Sequence, residues 1–278
     1  HCKAVAPSHE FSFKRKLYSL DATLIELCVR AFPWATYRQT KGAVKLNMLL
    51  DHDGYLPVFM DFTHGDVHEV TSARHMDLPR DSMVACDRGY VDYEMLCKWN
   101  SNGIDFVTRL KSNATYESPD FDLKQYPGNV LSDEVIYLRG SREKYPERLR
   151  KVVVCDVVNH QTLVLLTNNF DLDAQTIGDL YKSRWQIECF FKMLKQNFKI
   201  KTFIGTSENA VKIQVWTALI AILLTKYLKF LSKAEWHFST LVTFLKWNLF
   251  VYRDLRQWLD QPFTRPPAPE SFQPEFAF

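Results

Sequence analysis

The stretch YKSRWQIECFFKMLKQNFK, residues 181–199, decides how the chain is read. At about 100° per residue it forms one amphipathic helix. Leu180, Ile187, Phe190, Phe191 and Leu194 occupy the arc that buries. Tyr181, Arg184, Glu188 and Lys195 fall within roughly 60° of one another, and Lys192 joins their stripe. One carboxylate therefore stands among bases. As a plain surface pair at i, i+4, Arg184 and Glu188 would stabilise a helix by about 0.2–0.5 kcal/mol. The excess of bases suits a face set opposite phosphates better than one that pairs within itself.

Two acids upstream share an unusual context. Asp21 sits inside the strand-like run Leu17–Thr23, and Asp87 ends the short apolar strand of SMVACDRGY, residues 82–90. A carboxylate in an apolar strand costs several kcal/mol unless it is paired or binds a cation. Two strand acids and one helix acid converging on a hard divalent ion would meet its preference for oxygen ligands. Cys86, beside Asp87, reads as a small core residue.

Outward from these points the pattern is α/β. AVKLNMLL and YLPVFMDFT flank DHDG, a hairpin signal with Gly54 at the turn. Pro57 predicts that the second arm is an edge strand. HEVTSARHM reads as helix, DYEMLCKWNSNG as a helix closed by Gly103, and IDFVTRLK as a strand. From about Ser112 to Asn169, turn residues and strand-like runs predict a β-rich insertion. Helix resumes after Asp171 or Asp173, either of which can cap it. Further helices are expected at roughly 208–231 and 241–256. The tail from Pro262, with five prolines, is expected to be extended or disordered. The expected division is 1–111 and 170–235 as one core, 112–169 as insertion, and 236–278 as a C-terminal helix and tail.

Composition excludes several classes. The 278 residues are 46% hydrophobic and 14% aromatic, enough for a substantial core rather than disorder. Six scattered cysteines make no C-x-x-C pair, which argues against a zinc ribbon or disulfide scaffold and for reduced thiols. The longest apolar run, Val215–Leu224, is too short to span a bilayer and reads as a buried helix. A net charge of +3 only leans toward an anionic partner. The opening HCKAVAPSHE has no initiator Met and no signal-peptide pattern, so the chain reads as part of a longer protein.

Tyr181-x2-Arg184-x3-Glu188-x6-Lys195 resembles the Y-R-E-K signature of the DDE transposases of the insertion sequence four family. Such a pattern arises by chance in about one chain of this length in several hundred. LDAT around Asp21 and CDRGY around Asp87 resemble that family's first and second acidic motifs, and the likeness runs from about Phe11 to Leu231. Asn47 and Glu69 depart from residues common among relatives and read as peripheral to the metal site. The twenty residues before Asp21 are too few for the segment with which relatives recognise their element's ends.

The resemblance implies a ribonuclease-H-like mixed sheet flanked by helices, with the β-rich insertion before the last catalytic helix. It implies that Asp21, Asp87 and Glu188 hold two Mg2+ ions, for which Mn2+ can substitute. Tyr181, Arg184 and Lys195 would meet phosphate oxygens, with Lys192, Arg88, Arg109 and Lys111 as further DNA contacts. The implied activity is metal-dependent cleavage and strand transfer of double-stranded DNA at element ends and target, by a bacterial, cytoplasmic, nucleoid-associated protein with no membrane partner, acting as a homodimer on DNA. The alternatives are a nuclease of the same fold that does not join ends, and a non-catalytic DNA-binding remnant. Six bases in RGSREKYPERLRK, residues 139–151, suit a patch that tracks a phosphate backbone.

Overall fold

The computed structural model describes residues 1–262 apart from 39–40, 120–125, 127, 158, 199, 201, 249 and 253, with backbone alone at 36 and 38. The proline-rich tail beyond Pro262 and Lys199 lie outside the described residues.

The sheet is built around β1 (Lys16–Leu27). It pairs antiparallel with β3 (Lys41–Asp51), whose opening residues also pair with β2 (Thr36–Arg38). Beyond β3 lies β4 (Leu56–His64), reached through a turn in which Gly54 and Tyr55 both take positive φ. As Pro57 predicted, β4 is an edge: it pairs with β3 alone, and the register slips where Leu50 meets Pro57. On its other side β1 pairs parallel with β5 (Ser82–Cys86), and β5 pairs parallel with β6 (Asp105–Arg109). The order β4-β3-β1-β5-β6 then continues through β10 (Gln161–Thr167), β9 (Leu149–Asp156), β8 (Val130–Leu138) and the two-residue β7 (Tyr116–Glu117), all antiparallel. The strands of segment 112–169 thus extend the same sheet.

One face of the sheet carries α3 (Tyr93–Ser101), capped by Asp92 and closed by Gly103 at φ +71°. Its Met95, Leu96 and Trp99 pack with Leu20, Val84 and Phe106. This side also carries α2 (Glu69–Ala73), one turn where HEVTSARHM predicted more, whereas the short α1 (Cys2–Val5) packs on the other face, its Cys2 Sγ donating to the Leu223 carbonyl. The other face carries α4 (Ala174–Ser183), α5 (Trp185–Asn197) and α6 (Glu208–Leu231). Asp173, not Asp171, caps α4 by accepting from Thr176 N.

Three expectations need correction. The helix over 181–199 is two helices broken at Arg184, because their stripes serve different clusters. Ile177, Leu180 and Tyr181 pack with Leu17, Met83 and Val107, whereas Ile187, Phe190, Phe191 and Leu194 pack with Ile25, Leu46 and Met48. The helix expected at 241–256 is α7 (Phe238–Asn248) followed by α8 (Leu255–Asp260), since Asp254 caps a new start by accepting from Gln257 N. Finally, α6 is long and apolar enough to cross a bilayer by length and composition, yet its run is not fully buried. Val215, Ala218, Leu219 and Ile222 face the core, while Trp216, Ile220 and Leu224 are exposed.

Candidate active site

β5 ends at Cys86, which pairs with Leu20, and β1 runs on. Asp21 and Asp87 are each the next residue past that pair. Parallel neighbours lie about 4.8 Å apart, so the two acids stand side by side at the end of the ladder. The third acid comes from above. The apolar face of α5 seats on β1 and β3, which sets Glu188, in its first turn, over Asp21.

Arg184, at the break between α4 and α5, ties these parts together. Its Nη1 donates to Asp21 Oδ2 at 2.7 Å and its Nη2 to Glu188 Oε1 at 2.8 Å. The arginine side chain is 14% exposed, Asp21 17% and Glu188 35%, so the bridge is largely shielded from water. The Arg184 Nε is buried with no acceptor among the described residues. Tyr181 is buried under α4 and its hydroxyl donates to Asp87 Oδ1 at 3.4 Å.

Burial pushes the Asp21 carboxyl up to about 6; Arg184 and the Ala22 N–H oppose this, and Glu188 and Asp87 add to it. Burial also carries the Tyr181 phenol up to about 12, with Arg184 lowering and Asp87 raising it. Burial lowers the Arg184 guanidinium, but Asp21, Tyr181 and Glu188 outweigh it and the net direction is up. Cys86 is fully buried, and burial lifts its thiol to about 12, as befits a core residue.

The expected bases divide. Lys195 Nζ donates to Thr23 Oγ1 at 2.6 Å and to the Leu24 carbonyl at 3.0 Å, so it binds α5 to β1. Lys192 is exposed and lines, with Asp21, Thr23, Glu188, Lys195 and Gln196, a cleft of about 450 Å3. Arg88 is exposed beside Asp87, and Arg109 is near enough to Tyr181 to lower its phenol. Lys111 is turned to the Val91 carbonyl at 2.8 Å, outside the acid group. The sequence did not single out Trp185. It is 60% exposed at the start of α5, and an indole left in water directly after the bridging arginine was the available signal.

A divalent cation is the group these acids suggest. Among the described residues, no three His, Cys, Asp or Glu side chains already converge on one ion position. The donor chemistry nevertheless fits. The acids offer carboxylate oxygens, the ligands hard cations take. A guanidinium already bridges Asp21 and Glu188, so both carboxylates are turned toward a cation.

A mixed sheet flanked by helices, with acids just past the last pair of two neighbouring strands and an arginine-bridged acid on a facing helix, places the chain among the mixed α/β folds. Residues 12–224 match the transposase DDE domain family, and the chain belongs to it. It is 28% identical over 229 residues to a Geobacillus stearothermophilus protein named as the transposase of insertion sequence element IS5377, covering 82% of this chain and 60% of that one. It is 31% identical over 207 residues to a Sinorhizobium fredii protein named as transposase y4zB, covering 73% and 58%. A Synechocystis protein named for element IS4SA is 23% identical over 221 residues. The piggyBac transposase, solved in a synaptic complex with hairpin DNA, shares the fold at TM-score 0.50 and 11% identity, over 94% of this chain and 60% of that one. The resemblance to the insertion sequence four family therefore holds; these matches assign no role to Tyr181, Arg184, Glu188 or Lys195. The chain spans about 60% of the length of these relatives.

Proposed function

We propose that this chain is the catalytic part of a DNA transposase that cuts and rejoins double-stranded DNA at the ends of an insertion sequence, on a ribonuclease-H-like core. The strand order β4-β3-β1-β5-β6, with β1 beside β5, supports that core. The observation that carries the function is the Arg184 bridge between Asp21 and Glu188, next to Asp87 on the neighbouring strand.

Asp21, Asp87 and Glu188 would hold two Mg2+ ions or their Mn2+ substitutes. Such ions activate an attacking water or 3′-hydroxyl and stabilise the leaving oxygen of an in-line displacement. The chain's own residues do the rest. Arg184 holds Asp21 and Glu188 at a fixed spacing through its two terminal nitrogens. Tyr181 turns its hydroxyl toward Asp87 at 3.4 Å, a long contact that leaves the carboxylate able to turn. Lys192 and Arg88, exposed at the rim, neutralise the DNA backbone. Lys195 anchors the helix floor of the cleft, and Trp185 offers a flat face on which a base can stack. Two element ends must be held together, so two copies act on one DNA assembly.

The test uses duplex oligonucleotides from the borders of the element that carries the gene. Asp87→Ala should abolish Mg2+-dependent cleavage and leave DNA affinity within about twofold. Undiminished cleavage by that variant would refute the site. A precut 3′ end that the wild-type protein fails to join to target DNA would reduce the activity to that of a nuclease.

A further inference from the structure

Asp87 is weakly held. It lies just past the last ladder pair of β5, and its two carboxylate contacts are long: Tyr181 Oη at 3.4 Å and Gly89 N at 3.5 Å. Contacts at that distance orient a side chain poorly. The direction in which Asp87 points therefore depends on the turn Arg88–Tyr90 that follows it, and on what backs that turn.

Glu69 backs it. This residue opens α2, which packs against the turn. Glu69 Oε1 lies 3.6 Å from Lys45 Nζ, and that lysine also donates to the Val67 carbonyl at 2.7 Å. Glu69 Oε2 covers Gly89, where an added Cβ would come within 2.9 Å of it and 4.0 Å of Asp87 Oδ2. Tyr90 is fully buried, and its hydroxyl has no partner among the described residues. Burial raises its phenol, and Glu69, Asp21, Cys86 and Asp87 raise it further, which puts the hydroxyl in the field of Glu69 and both strand acids. Glu69 is thus not peripheral to the acid group.

We propose that Glu69 is a positioning residue for Asp87: wedged between Lys45 and Gly89, its carboxylate backs the turn Arg88–Tyr90 and so limits where Asp87 presents its oxygens. The assignment rests on Asp87 belonging to the catalytic site. Residues behind a metal ligand typically change metal affinity or activity by 10–100-fold when removed.

The experiment compares Glu69→Ala, Glu69→Gln, Gly89→Ala and Asp87→Ala in three measurements. These are hydrogen–deuterium exchange of backbone amides 86–91 in metal-free protein, the Mn2+ concentration for half-maximal cleavage, and DNA affinity. Glu69→Ala should speed exchange at Gly89 and Tyr90 by about 10-fold. It should also raise the Mn2+ half-saturation by about 10–100-fold, with DNA affinity unchanged. Glu69→Gln keeps the shape and weakens the hold of Lys45, so it should fall between Glu69→Ala and wild type. Gly89→Ala displaces the carboxylate while sparing Glu69 and should move both readouts in the same direction, which keeps the test open if Glu69→Ala does not fold. Wild-type exchange and an unchanged Mn2+ requirement in Glu69→Ala or Gly89→Ala overturn the proposal while Asp87→Ala is inactive. Full cleavage by Asp87→Ala overturns the site itself, and the exchange data still decide whether Glu69 holds the turn.

Discussion

Arg184 reaches Asp21, 163 positions away, with one nitrogen and Glu188, 4 positions away, with another. A lysine supplies one point charge and cannot span both oxygens. Arg184→Lys is therefore expected to lower Mg2+-dependent cleavage by about 10–100-fold while changing DNA affinity much less, measured on the same oligonucleotides. A second residue-scale effect lies far from the acids. His52 is buried, with its Nε2 2.6 Å from Ser19 Oγ. Burial lowers its pKa from 6.5 to about 4; the charge of His9 adds to this and Asp53 opposes it. Below pH 6.5 the unfolded chain takes up a proton that the folded one refuses, so stability falls as pH drops from about 6.5 to 4, by roughly 3 kcal/mol at full extent. The raised Asp21 carboxyl contributes in the opposite sense over the same range, so the His52 share is read as a difference: relative to wild type, the denaturant midpoint of His52→Gln should rise as pH drops from about 6.5 to 4. Asp21 and Asp87 stood out in the sequence because carboxylates in apolar strands demand a partner, and Glu188 because it is a lone acid among bases. The Arg184 bridge was half legible: helix spacing gave Glu188, but nothing local reveals Asp21. Glu69 was not legible, since its partners Lys45 and Gly89 come from a different strand and a different turn.

The break at Arg184 lets α4 and α5 serve two clusters while presenting one residue between them. Phe190 is one of the side chains that seat α5 on the sheet. Its truncation to Ala is expected to cost about 3–5 kcal/mol. Thermal or denaturant unfolding measures that loss. The periodicity over 181–199 predicted helix correctly and missed the break, because Leu180 and Ile187 look alike until the clusters they enter are known. At the far end of the sheet, Arg150 on β9 donates twice to Asp133 on β8, at 2.8 and 2.7 Å, and to the Asn169 and Leu172 carbonyls just before α4. Breaking a buried pair from one side costs about 3–5 kcal/mol. Arg150→Ala should lose stability of that order and also loosen the start of α4, visible as faster amide exchange there.

Across the whole molecule the bases are distributed differently from what their sequence density suggested. In the segment 139–151, Arg139 and Arg142 pair with Glu117, Lys144 with Glu94, Arg150 with Asp133 and Lys151 with Glu134, while Arg148 lies over the Phe170 ring. The patch expected to track DNA is largely neutralised by acids that are distant in sequence, which a count of neighbouring charges cannot register. DNA affinity should still fall with salt, since phosphate contacts dominate. Lys192→Ala should reduce the slope of log affinity against log salt by about one, whereas Arg139→Ala should leave it nearly unchanged. Fluorescence anisotropy at several salt concentrations distinguishes these outcomes, and an affinity that ignores salt would contradict the assignment. The β3–β4 hairpin and its edge arm were legible from Gly54 and Pro57; the pairing of β10 with β6 was not, because antiparallel partners so far apart carry no local signal. Both margins of that wide sheet are poor templates for a stray chain. On one side stands β4, with a ring in place of an amide hydrogen and a slipped register, and on the other β7 is two residues long. Copies brought close together are thereby kept from fusing strand by strand into insoluble fibres.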